Sequence, residues 1–231
     1  MSGPEYGDTW VYESIVGALP GIDLRESEAV ALQFVVFEVG IVLLAFLYDL
    51  WAAALAGTAA VAVAAAGSVA MRRLGIGTRE LGAPEPYRRL LFGSSIEVVL
   101  AVLAFIALVT HLFVFDPQES AVPLISSLFG PEPPVLVVYL TLLVLWDLCY
   151  RIGTSWWAAV VALWRAWRYD FDAQTARAYR RLDGMNVLFA GGQAILLPFL
   201  LDQPVLLLAV GGHIGAVTAV SGAAMLLTRP A

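Results

Sequence analysis

Six stretches of this chain are each apolar for long enough to cross the hydrocarbon core of a bilayer, which takes about 20 residues of helix. They lie near 29–48, 51–71, 93–115, 135–155, 184–201 and 204–227, and the fourth runs on to Trp164. In lipid every backbone N–H and C=O must be satisfied within the segment, so runs of this length fold as helices. The expected fold is therefore all-α, a polytopic integral membrane bundle of about six transmembrane helices. Composition agrees, because only 14% of the 231 residues are charged against roughly 25% in an ordinary soluble domain. That is too few to cover a globular surface, which excludes a soluble enzyme, a nucleic-acid-binding module and a disordered protein.

The connections predict the topology. Asp49, flanked by Tyr48 and Trp51, reads as a tight helical hairpin with an aromatic pair at the interface. Asp202, Gln203 and Pro204 read as a second one, with proline at the start of a helix where its missing N–H is not needed. The loop from Arg72 to Phe92 carries five arginines, as does the loop from Arg165 to Asp183. The opposite connections carry Asp49, then Asp116, Glu119 and Glu132, then Asp202, and no basic residue. Arginine excess marks the cytoplasmic side, so six spans with both termini in the cytoplasm fit a multi-pass protein of the cell membrane.

Residues 1–28 form an acidic N-terminal segment, and 29–231 the transmembrane domain. The first 28 residues hold six acids and lack the apolar core of a cleavable signal peptide. Trp10–Ile22 could form a short interfacial helix, and Asp23 with Glu26 resembles a capping box. From Val135 to Trp167 a straight helix would run about 50 Å. A break near Gly153, or a helix that leaves the bilayer to lie along its surface, is expected there. All 13 basic residues are arginine. With a net charge of -6, this fits a high-salt habitat in which dense carboxylates stay hydrated.

Ionisable groups inside the spans are the candidate functional residues, since burying charge in hydrocarbon is costly. Counting helical rise from the arginine-rich side puts Arg151 and Glu97 roughly 6 Å deep, Asp147 about 12 Å and Glu38 about 15 Å. Asp147 and Arg151, four residues apart, share a helix face and can pair, with Glu97 as a second acid in reach. Glu38 is left without a cation. It reads either as a protonatable site or as a neutral hydrogen-bond donor to a neighbouring helix. Gly191-Gly192-Gln193 and Gly211-Gly212-His213 face each other across the second hairpin. Small residues allow close packing there, and Gln193 could hydrogen-bond His213. His111 and His213 differ in depth by about 8 Å, which disfavours axial ligation of a haem, and two histidines are too few for a zinc site. No cofactor or metal is implied.

The stretches Tyr87–Glu97 (YRRLLFGSSIE) and Leu145–Trp157 (LWDLCYRIGTSWW) resemble a group of uncharacterised multi-spanning membrane proteins of halophilic archaea. The resemblance implies location and carries no assigned activity. Two functions compete on the residues alone, and the buried carboxylate favours the first. In the first, the chain is a small transporter or ion-permeation protein. Glu38 is its gate, Asp147, Arg151 and Glu97 form a charge network, and Gln193 and His213 extend the pathway. In the second it is a non-catalytic scaffold or subunit of a membrane complex, whose buried polar groups only fix helix packing. An intramembrane enzyme ranks last, for want of a nucleophile–base pair. The partners are the lipid bilayer and either a second copy or a membrane-complex partner, and acidity excludes nucleic acid.

Overall fold

The computed structural model describes Trp10 and residues 26–228, which contain helices and no strand. The elements are α1 (Glu26–Tyr48), α2 (Trp51–Glu80), α3 (Glu85–Phe92), α4 (Ile96–Thr110), a π-helical turn (His111–Phe115), α5 (Asp116–Glu119), α6 (Leu124–Phe129), α7 (Val135–Arg168), α8 (Ala173–Gly192), a 3-10 segment (Gln193–Leu200) and α9 (Pro204–Leu227). Six helices, counting α3 to α5 as one run and α8 with its 3-10 extension as another, are long and apolar enough to cross a membrane. The expected helix at Trp10–Ile22 and the Asp23–Glu26 cap lie outside the described residues, Trp10 excepted.

Helix α7 is the centre of the bundle and packs against α1, α2, α3, α4, α8 and α9. It runs unbroken for 34 residues, so the expected break at Gly153 does not occur. The reason is packing. A Cβ on Gly153 would stand 3.0 Å from the backbone nitrogen of Ala101 and 3.2 Å from the carbonyl oxygen of Glu97. The glycine is therefore the place where α4 rests on α7. Nor does the second half of α7 lie free along a surface. Ala158, Ala159, Val161, Ala162 and Ala166 are all buried, and these small side chains admit α8 and α9 close to the axis.

The arginine-rich loops are mostly helix. Arg72, Arg73 and Arg79 lie in the last third of α2, and Arg177, Arg180 and Arg181 in the first half of α8. The connections shrink to residues 81–84, 93–95 and 169–172. Asp172 opens α8 as its N-cap, its carboxylate accepting from the backbone N–H of Gln174 at 2.8 Å and of Thr175 at 3.0 Å. At the opposite end the turns are tight, with Asp49 in the left-handed region (φ 56°) between α1 and α2. In the 3-10 segment Pro198 has no N–H to continue an α-helical ladder, and the chain tightens its pitch instead.

The two ends of the bundle are packed differently. At the arginine end Trp10, Met71, Leu74, Tyr87, Leu91, Phe92, Val161, Tyr179 and Phe189 form one core. The end that carries the tight turns has only small clusters, Ile41 with Val61 and Val144, and Leu112 with Ile125 and Leu206.

Candidate functional site

The six candidate residues fall into three groups. The first is a seam where α1 meets α2 and α7. The amide of Gln33 donates to Asp147 Oδ2 at 2.9 Å, and Arg151 donates to Asp147 Oδ1 at 3.0 Å. One turn and a half further along α1, the Thr58 hydroxyl donates to Glu38 Oε1 at 2.7 Å. Most of α1 is exposed apolar surface, with Phe46 73% exposed. These side-chain bonds help to hold it to the bundle, together with Ile41 packing on Val61 and Val144 and with Phe34 and Phe37 beside them. A cleft of about 10 Å³ lies beside Gln33, Phe34, Phe37 and Asp147, room for about one water molecule.

Glu97 forms the second group alone. It is fully buried, and neither of its carboxyl oxygens has a hydrogen-bond partner among the described residues. The expected sharing of Arg151 between Asp147 and Glu97 is therefore not found. Geometry on α7 explains this. The Arg151 Cβ and Cγ lie against Gly67 of α2, whereas Gly153 lies against α4. Two residues along an α-helix turn the side chain by about 200°, so Arg151 points away from the helix that bears Glu97.

The third group is Gln193 and His213, and the expected bond between them is absent. Gln193 is fully buried with neither amide atom partnered among the described residues, and His213 Nε2 is buried without a partner among them. The glycines beside them do not pack tightly either. A Cβ on Gly191, Gly192, Gly211, Gly212 or Gly215 would meet nothing within 4 Å. The α8–α9 contact runs instead through Ala190 with Val217, and through Asn186, whose amide donates to the Ser221 hydroxyl at 3.4 Å. The same side chain ties α8 to α7, donating to the Ser155 carbonyl at 3.0 Å and accepting from its hydroxyl at 2.8 Å. The close glycines are Gly67, Gly77 and Gly153.

Reading the sequence missed the densest polar cluster. Arg165 donates to Asp183 at 2.7 Å and to the Tyr87 hydroxyl at 3.2 Å, and its guanidinium lies 4.1 Å from the centre of the Tyr179 ring. All four side chains are buried. The sequence reads Arg165 and Asp183 as the ends of a loop, and nothing local in it relates Arg165 to Asp183, 18 positions away, or to Tyr87, 78 positions away.

None of the six candidate residues lines a chamber of about 230 Å³ at the turn end, whose walls are apolar. Among the described residues no three of His, Cys, Asp and Glu are grouped to hold a metal. No curated protein and no solved structure matches the chain. A family model does match, over residues 5–224, which is nearly the whole sequence. The chain accordingly belongs to that family, a family of unknown function (DUF7530).

Proposed function

We propose that the chain is a non-catalytic integral component of the cell membrane, a scaffold or a subunit of a membrane complex, whose buried polar residues fix its helices to one another. The observation that carries this reading is the α1 seam. Glu38 is bonded to Thr58 of α2 and Asp147 to Gln33 of α1, so each carboxylate ties α1 to a neighbouring helix. The chamber of about 230 Å³ at the turn end is apolar and touches neither. The positive-inside rule puts the arginine end in the cytoplasm together with both termini. Trp10 belongs to that face, where its indole donates to the Leu91 carbonyl at 3.2 Å. The arginine side chains there form the surface that a partner would meet. The absence of lysine and the acidity support a halophilic source.

A second reading, a small transporter or ion-permeation protein, is favoured by Glu97 and Gln193. Both are fully buried and lack hydrogen-bond partners among the described residues, and unsatisfied buried groups of this kind call for an explanation. Water separates the two readings. In a Cys149→Ala background, single cysteines are placed across 34–43 and 141–150 and intact membranes are treated with a charged maleimide. The scaffold reading expects both windows to stay unlabelled while a cysteine at Glu132 labels. Labelling around Glu38 with helical periodicity would replace it with the transport reading.

A further inference from the structure

We infer that the chamber at the turn end is a binding site for one neutral hydrocarbon chain. Its walls come from α1, α2, α4, the π-helical turn, α6, α7, the 3-10 segment and α9. The space exists because of local sequence. Ala53, Ala54, Ala56, Gly57 and Ala60 give α2 almost no side-chain bulk along this stretch. The π-helical turn and the 3-10 segment, which contribute Leu112 and Leu196, depart from α pitch beside it. Helix α6 supplies one wall through Leu124, Leu128 and Phe129. It is held in place by two bonds at its start: the Leu124 N–H donates to the buried Asp116 carboxylate at 2.6 Å, and the Gln203 amide donates to the Val122 carbonyl at 3.3 Å.

The lining selects the occupant. Its only polar side chains are Thr141 and Cys149, and the Thr141 hydroxyl already donates to the Val137 carbonyl at 2.8 Å. A water molecule needs two to four polar partners to be held in a buried site, so this chamber does not suit water or an ion. An apolar cavity of about 150 Å³ is enough to take up benzene, and this one measures about 230 Å³. The helices around it are of membrane-spanning length and composition, so hydrocarbon chains are the surrounding solvent. The connections at this end carry Asp49, Glu119, Glu132 and Asp202 and no arginine. That charge disfavours an anionic head group, and walls without a carboxylate or other charged side chain offer a cation nothing to pair with inside the chamber, which leaves a neutral chain as its occupant. The site shares Ile41 and Val144 with the packing of α1 but none of the polar residues of the seam at Glu38, and it holds whichever reading of the seam is correct.

Photolabelling tests it. The full chain is reconstituted into vesicles containing either a diacylglycerol with a diazirine in one acyl chain or a free diazirine-bearing alkane, irradiated, and mapped by peptide mass spectrometry. Label on bilayer-facing Phe46 and Leu208, 73% and 76% exposed, reports correct insertion. The expected result is additional label on Ala53, Gly57, Val144 and Leu196 inside the chamber. Interior label from the diacylglycerol identifies a lipid chain as the occupant, and interior label from the alkane alone identifies a small free apolar molecule. Ala54→Phe fills the space, and should cut interior labelling several-fold while leaving Phe46 and Leu208 unchanged. Label confined to the bilayer-facing residues of the wild-type chain from both probes would overturn the proposal.

Discussion

Arg165 and Asp183 meet at 2.7 Å with 1% and 4% of their side chains exposed, and the arginine is at the same time sandwiched against the Tyr179 ring. A buried pair of this kind is costly to break from one side, because the remaining charge has no solvent to turn to. Asp183→Leu alone should cost about 3–5 kcal/mol. The double change Arg165→Met with Asp183→Leu should restore most of that loss, since removing both charges also removes both desolvation penalties. Thermal unfolding of the detergent-solubilised wild type, the two single variants and the double variant measures this cycle. A double variant as unstable as Asp183→Leu would show that packing on the tyrosines, rather than charge, governs the site.

Glycines that look alike in the sequence should respond oppositely to substitution. In Gly153→Ala the new methyl group would meet backbone atoms of α4 at 3.0–3.2 Å, and α4 cannot yield without moving the whole helix. Overpacking of this sort costs about 1–3 kcal/mol, which outweighs the 0.5–1 kcal/mol or so that alanine gains over glycine in a helix. Gly212→Ala meets nothing within 4 Å, so only the gain remains, and the variant should be as stable as the wild type or slightly more so. Unfolding temperatures of the two variants check the contrast, and a stabilised Gly153→Ala would refute the account of α7 given above.

The difference between those glycines marks how far the sequence could be read. The six long apolar helices and the hairpins at Asp49 and Gln203 were legible because apolar length and turn chemistry are local properties. Boundaries at the arginine end were not. Arg72, Arg73, Arg177, Arg180 and Arg181 were assigned to loops on charge, yet arginine is a good helix former and α2 and α8 simply extend past the apolar stretch. The pairing of Asp147 with Arg151 was legible from its spacing of four. Gln33 and Thr58, the partners of Asp147 and Glu38, were not, since nothing along the chain relates residues 114 and 20 positions apart. The Arg165 cluster, built from residues 18 and 78 positions apart, was hidden for the same reason. The Gly191 and Gly211 regions were misread because small residues permit close approach but do not compel it.

The last expectation concerns acid. Asp172 is exposed, and its carboxyl group is held below its ordinary value of 3.8, first by the hydrogen bond from the Thr175 hydroxyl at 2.6 Å and then by the backbone N–H groups of Thr175 and Gln174. Unfolding breaks those bonds and returns the group to its ordinary value, so the unfolded chain binds the proton more readily than the folded one. The cap therefore contributes its full stability above the ordinary carboxylate range, and loses it as pH falls through the lowered folded value. Asp172→Ala should unfold at a lower temperature than the wild type at pH 7, where the N-cap is intact. The gap between the two should narrow steadily below about pH 4, because acid removes from the wild type what the substitution has already removed from the variant. Unfolding temperatures of both proteins between pH 7 and pH 3 measure it. A gap that stayed constant over that range would mean that the charged carboxylate contributes nothing to the start of α8.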